Sequence, residues 1–122
     1  MNKKKSPSIA EVLSLFLPDG ILEYFDIVSE ITQETCFILC LEEKNIVPDE
    51  ISTLNLHSHG FHPEVEVQDF PIRGKAVYLR IKRRRWKDID TGKVYSRDWR
   101  IVAHGTRITA EFGSFLKELL RQ

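Results

Sequence analysis

The sequence predicts an α+β fold, with an N-terminal helix, a mostly antiparallel β-sheet carrying a long basic hairpin, and a C-terminal helix. Three observations predict it. Apolar residues recur at helical spacing near both ends, at Ile9, Val12, Leu13, Phe16 and Leu17 and again at Phe112, Phe115, Leu116 and Leu119. Between them, short runs alternate apolar and polar residues, as in Glu64-Val65-Glu66-Val67. Turn-forming groups separate these runs, among them Pro18-Asp19-Gly20 and Asp90-Thr91-Gly92. A length of 122 residues suits one domain, so 1–122 is read as a unit. With 42% apolar and 30% charged residues, the core is expected to be modest.

Taken in order, Ser8 and Glu11 are spaced as a capping box for the first helix, and Pro18-Asp19-Gly20 stops it. A short helical turn is expected over Ile21 to Phe25. Ile27 to Ile31 and Thr35 to Glu42 read as strands, the second buried on both faces because Cys36 to Leu41 is apolar throughout. Glu43 to Phe61 decays into a polar stretch and is read as a long loop or weak helix. Strand pattern returns at Glu64 to Val67, and Pro71 to Lys75 turns the chain. Ala76 to Asp88 and Lys93 to Ala103 form the two arms of the predicted hairpin, with Asp90-Thr91-Gly92 reversing the chain and Gly105 ending the second arm. With Thr91 at the tip, Ile81 would face Ile101, Arg83 would face Trp99 and Arg84 would face Asp98. Thr109 is the expected cap of the last helix, with Glu111 and Arg121 suiting its dipole.

The net charge of zero conceals a polar division. Residues 1–70 carry 4 Lys or Arg against 13 Asp or Glu, and residues 71–122 carry 14 against 5, so the two parts hold −9 and +9. Such a division points to a polyanion for the basic part; neutralisation inside the molecule is the alternative. In the hairpin, Val77, Leu79 and Ile81 share one face, and Tyr78, Arg80, Lys82, Arg84 and Trp86 the other. Four successive cations, Lys82 to Arg85, charge both faces of the strand. That is costly for a buried strand and suits one laid against phosphates, with Trp86 and Tyr95 placed to stack. A two-stranded ribbon of this kind fits the major groove. The other reading is a solvated edge strand that its charges keep from aggregating.

From these features the nucleic-acid-binding residues are expected to be Arg73, Lys75, Arg80, Lys82, Arg83, Arg84, Arg85, Trp86, Lys87, Lys93, Arg97, Arg100 and Arg107. His57, His59 and His62 with Cys36 and Cys40 invite a zinc hypothesis, but in an extended segment the two thiols lie about 13 Å apart, so no metal site and no disulfide is expected. Glu64, Glu66 and Asp69 lie near His62 without forming any motif that has a catalytic mechanism; neither catalysis nor a cofactor is expected. No signal peptide or membrane span is visible, which leads to the expectation of a cytoplasmic protein with reduced thiols and no small-molecule substrate.

The stretch from Gln68 through Pro71-Ile72-Arg73-Gly74-Lys75 to Arg83-Arg84-Arg85-Trp86, followed by Thr91-Gly92-Lys93, Arg97-Asp98-Trp99 and Gly105-Thr106-Arg107-Ile108-Thr109, resembles the N-terminal region protein of a bacterial insertion-sequence transposase. Leu17-Pro18-Asp19-Gly20, Tyr24-Phe25 and Leu41-Glu42-Glu43-Lys44-Asn45 extend the resemblance over nearly the whole chain. The broader group has a zinc-ribbon-like segment, a helix-turn-helix and a catalytic domain with an acidic triad. A cysteine usually follows its Arg-Arg-aromatic run, where Lys87 follows Trp86 here. The resemblance therefore implies a hairpin without zinc, in a separately encoded piece that recognises double-stranded DNA at element ends while a catalytic transposase chain performs strand transfer. An interaction module that docks that chain without touching DNA, and an RNA-binding domain that stacks bases on Tyr78, Trp86 and Tyr95, are the alternatives.

Overall fold

Pro18 and Gly20 end the apolar run at Leu17, and Gly20 takes the left-handed backbone (φ 94°) from which the short helix α1 (Ile21–Tyr24) starts. The computed structural model describes residues 15–103 and 110–121. β1 (Phe25–Thr32) follows α1 directly and turns through Gln33, whose amide donates to the Cys36 carbonyl at 2.9 Å, into the antiparallel β2 (Cys36–Glu43). After a 3₁₀ turn at Asp49–Ile51 come β3 (Leu56–Phe61), β4 (Val65–Ile72), β5 (Lys75–Lys82), β6 (Arg84–Asp88) and β7 (Val94–Ser96). Two short connections then lead to α2 (Trp99–Ala103) and α3 (Ala110–Arg121).

The strands form a four-stranded sheet in the order β1-β2-β5-β4 and a three-stranded sheet in the order β3-β6-β7. β2 lies in the middle of the first sheet and runs parallel to β5, from Cys36 beside Ala76 to Glu42 beside Lys82. Its continuous apolar run reflects that central place, as expected of a strand covered on both faces. The inward residues of β5 are Val77, Leu79 and Ile81, all buried, and they join Leu39, Leu41 and Val67 beneath α3. A 12-residue helix is marginal on its own. Burial of Phe112, Phe115, Leu116 and Leu119, each worth about 1.5–3 kcal/mol, is what holds α3. At the sheet end, Phe25 stacks on Trp99 (5.3 Å between centroids) and meets Phe115 edge-on (6.3 Å).

The α+β class, β1, β2, β4, the α1 turn and the buried stripe of α3 stand as the sequence predicts. The long hairpin does not. The chain breaks at Arg83, so β5 belongs to one sheet and β6 to the other. Ile81 lies between Leu41 and Val65 rather than opposite Ile101, which is half exposed. Only three pairs remain between the arms, Arg85 with Ser96, Trp86 with Tyr95 and Lys87 with Val94, one residue out of the expected register. Beyond them the chain turns helical because Asp98 caps α2, its carboxylate accepting from the Arg100 amide at 3.0 Å, while Trp99 and Val102 are spaced to face the core. Leu56 to Phe61, read as loop, is the strand β3. Most of the expected first helix, the Thr109 cap, Gly105 and Arg107 fall outside the described residues.

Candidate nucleic-acid interface

Most of the predicted cations fall into three groups according to what surrounds them. The first group is committed to Glu43, a carboxylate at the end of β2 that is 1% exposed. Its Oε1 accepts the Arg84 amide N–H at 2.9 Å and its Oε2 accepts the Arg97 Nε at 3.0 Å. The Arg84 guanidinium donates to the Glu43 carbonyl (3.0 Å) and to the Ser58 hydroxyl, and lies over the Phe61 ring at 4.7 Å. Arg97 also donates to the Ile46 carbonyl at 2.7 Å and lies over Tyr24 and Trp99. These two arginines tie the sheets together and are not available as phosphate clamps.

Burial holds the Glu43 carboxyl above its ordinary value of 4.5, outweighing the hydrogen bonds from Arg84 and Arg97 that pull it down. The folded protein therefore holds this proton more tightly than the unfolded chain. The stabilisation is complete below 4.5 and is lost as pH rises through the folded value. Urea midpoints are expected to fall as pH rises from 4.5 through the folded value and to level off above it, and the fall should shrink in Glu43→Gln; an identical profile in that variant would assign the effect elsewhere.

The second group lies on β5, where carboxylates flank it. Arg80 pairs with Glu66 of β4 at 3.2 Å, and Lys82 stands beside Glu42 of β2. Lys75 lies over the Phe37 ring at 5.0 Å. β5 thus lies between β2 and β4, both of which carry carboxylates, and the Arg80–Glu66 pair neutralises part of the charge division within the sheet.

The third group is on the outer face of β6. Arg84, Trp86 and Asp88 point inward, which leaves Arg85 and Lys87 on the opposite face, with Arg83 at the break before them. Lys87 stands between His57 of β3 and Val94 of β7, and Arg85 stands opposite Ser96. His62 joins them: its amide donates to the Arg83 carbonyl at 2.8 Å, and its Nε2 is hydrogen-bonded to the Ser96 hydroxyl at 2.6 Å. Partial burial, then the charges of Arg83 and Arg85, hold His62 below its ordinary value, so the ring favours its neutral form. Among the described residues, no carboxylate forms an ion pair with Arg83, Arg85 or Lys87.

Trp86 is corrected outright. It is fully buried on the inner face of β6, and its Nε1 donates to Asn45 Oδ1 at 2.9 Å, so no ring face is open to a base. Of the remaining predicted residues, Arg73 is exposed in the β4–β5 turn at φ 51°, Lys93 is exposed over Tyr95, and Arg100 is exposed on α2. They lie on other elements than β6. His57, His62 and Ser96 were not among the expected contacts; the clustering of histidines was the one signal for them, and it pointed to metal. Among the described residues no three His, Cys, Asp or Glu side chains come together as metal ligands, and both cysteines are free thiols. No helix among them is long and apolar enough to cross a membrane.

Comparisons of the chain with protein-family models, with curated proteins and with solved structures found no match.

Proposed function

We propose that this chain binds the backbone of double-stranded DNA through the outer face of β6, as the recognition part of an insertion-sequence transposase whose catalytic chain is separate. The observation that carries the binding is the row Arg83, Arg85 and Lys87, three cations without carboxylate partners on a face whose other polar members are His57, His62 and Ser96. Alternate residues of a strand place charges about 6.6 Å apart, and a row of such charges can follow a phosphate backbone. The transposase assignment rests on the resemblance of Gln68 to Trp86 and the segments around it. Under it the protein supplies recognition and the partner supplies the chemistry.

The test is a salt series of duplex affinity for the parent and for the triple variant Arg83→Ala, Arg85→Ala, Lys87→Ala. Each neutralised phosphate adds about −0.9 to the log–log slope, so the variant is expected to lose about 2.7 of slope together with affinity for every duplex. Replacing Lys117, exposed on α3, should change neither quantity. Undiminished affinity in the triple variant would overturn the assignment. A docking module is the second reading, favoured by Phe70, which is 76% exposed on β4 at the edge of the sheet. Under that reading Phe70→Ser abolishes co-purification with the catalytic chain and leaves duplex binding intact.

A further inference from the structure

We infer that the basic face contains a discrete seat for a single phosphate group, closed by Arg83, Arg85, His62 and Ser96. This rests on the nucleic-acid reading above and names the atoms that would grip the backbone at one fixed point, rather than through a diffuse positive field.

Four observations converge on it. Arg83 Nε is buried and has no hydrogen-bond partner. A buried donor left in that state is destabilising, and an incoming acceptor relieves it. The chain path sets His62 across from Arg83, since the His62 amide holds the Arg83 carbonyl at the break between β5 and β6, next to the irregular pairing between Ser58 and Phe61. The imidazole reaches Ser96 on β7, and Ser96 is the cross-strand partner of Arg85, so the hydroxyl and that guanidinium share a face. The charges of Arg83 and Arg85 also help to lower the pKa of the ring, which agrees with this arrangement.

The seat is therefore lined from three directions. Arg83 and Arg85 at the start of β6 and Ser96 on the edge strand β7 donate. His62, after the end of β3, orients Ser96, since an Nε2–H given to the hydroxyl oxygen leaves the hydroxyl hydrogen for the phosphate. A planar carboxylate meets donors in one plane, whereas the oxygens of a phosphate accept from several. Guanidinium groups bind such oxygens with two parallel N–H bonds, and a serine hydroxyl adds a second kind of donor. A nucleic-acid phosphodiester and free inorganic phosphate share this chemistry.

The experiment is an NMR titration of the full chain, ¹⁵N-labelled, with inorganic phosphate at constant ionic strength and, separately, with a short duplex. Phosphate is expected to move the Arg83 Nε, Arg85, His62 and Ser96 signals along one saturable curve while Arg73 and Lys93 stay still. The duplex should move the same signals. Arg83→Lys keeps the charge and removes the buried Nε, and should weaken phosphate binding at least tenfold; if that variant misfolds, Ser96→Ala on the exposed β7 should weaken it at least threefold. Unsaturable shifts spread over all cations, or full retention of phosphate affinity in the folded variants, would overturn the seat even if the duplex still bound. Saturation by phosphate without any duplex binding would establish the seat, identify free phosphate as its ligand, and overturn the nucleic-acid reading instead.

Discussion

Glu43→Ala is expected to destabilise the protein by about 3–5 kcal/mol, the range for removing one partner of a buried ion pair. Glu43 ends β2 in the four-stranded sheet, Arg84 begins β6 in the three-stranded sheet, and Arg97 lies between β7 and α2, so one carboxylate joins three parts of the fold. Its removal leaves the Arg84 amide without its acceptor and the Arg97 side chain, 12% exposed, without its counter-charge. For a domain with a net stability of about 5–15 kcal/mol this is a large fraction, and a fall in Tm on the order of 10 °C or more should be read in thermal melts. Glu43→Gln should cost less, because the carboxamide oxygen still accepts the Arg84 amide. Replacing Glu43 and Arg97 together by leucine should recover part of the loss, since a buried pair exchanged for apolar groups avoids its desolvation. A loss below about 1 kcal/mol in Glu43→Ala would show that the carboxylate does not hold the sheets together.

Trp86→Ala should cost a further comparable amount, about 3–5 kcal/mol, as expected for truncating a large aromatic that is fully buried. Trp86→Phe keeps most of the apolar volume and loses the 2.9 Å bond to Asn45, so about 0.5–1.5 kcal/mol is expected from the hydrogen bond alone. Urea unfolding separates the two. Neither substitution should change the duplex affinity of the folded protein, because the ring offers no face to a base. A specific loss of affinity in Trp86→Phe at unchanged stability would mean that the indole is reachable after all.

The fate of Trp86 shows where sequence reasoning stopped. Up to Ile81 the odd-numbered residues face the core, and continuing that alternation puts Trp86 outside with Arg80 and Lys82. The break at Arg83 moves the strand into another sheet, and there Arg84, Trp86 and Asp88 turn inward. The dipeptide Arg83-Arg84 has no turn residue to announce this. Its cause is distant in the chain: Glu43, whose carboxylate takes the Arg84 amide and whose carbonyl takes the Arg84 guanidinium. β3 was unreadable for a related reason. Leu56-His57-Ser58-His59-Gly60-Phe61 has little strand character of its own and is extended because β6 pairs with it.

Periodicity and turn chemistry act over a few residues, and through them the sequence alone determined the α+β class, the buried stripe of Phe112, Phe115, Leu116 and Leu119, the apolar faces of β2 and β5, and the reversal after Asp88. It also determined that cations concentrate between Lys82 and Lys87. Which of those cations remain available was decided only by tertiary structure, because a charge is neutralised by whichever strand lies beside it. The parallel alignment of β2 with β5, the Glu66–Arg80 pair and the burial of Glu43 withdraw Arg80, Arg84 and Arg97. Arg83, Arg85 and Lys87 are left together beside His62 and Ser96, since the neighbours of their strand carry imidazoles and a hydroxyl where those of β5 carry carboxylates.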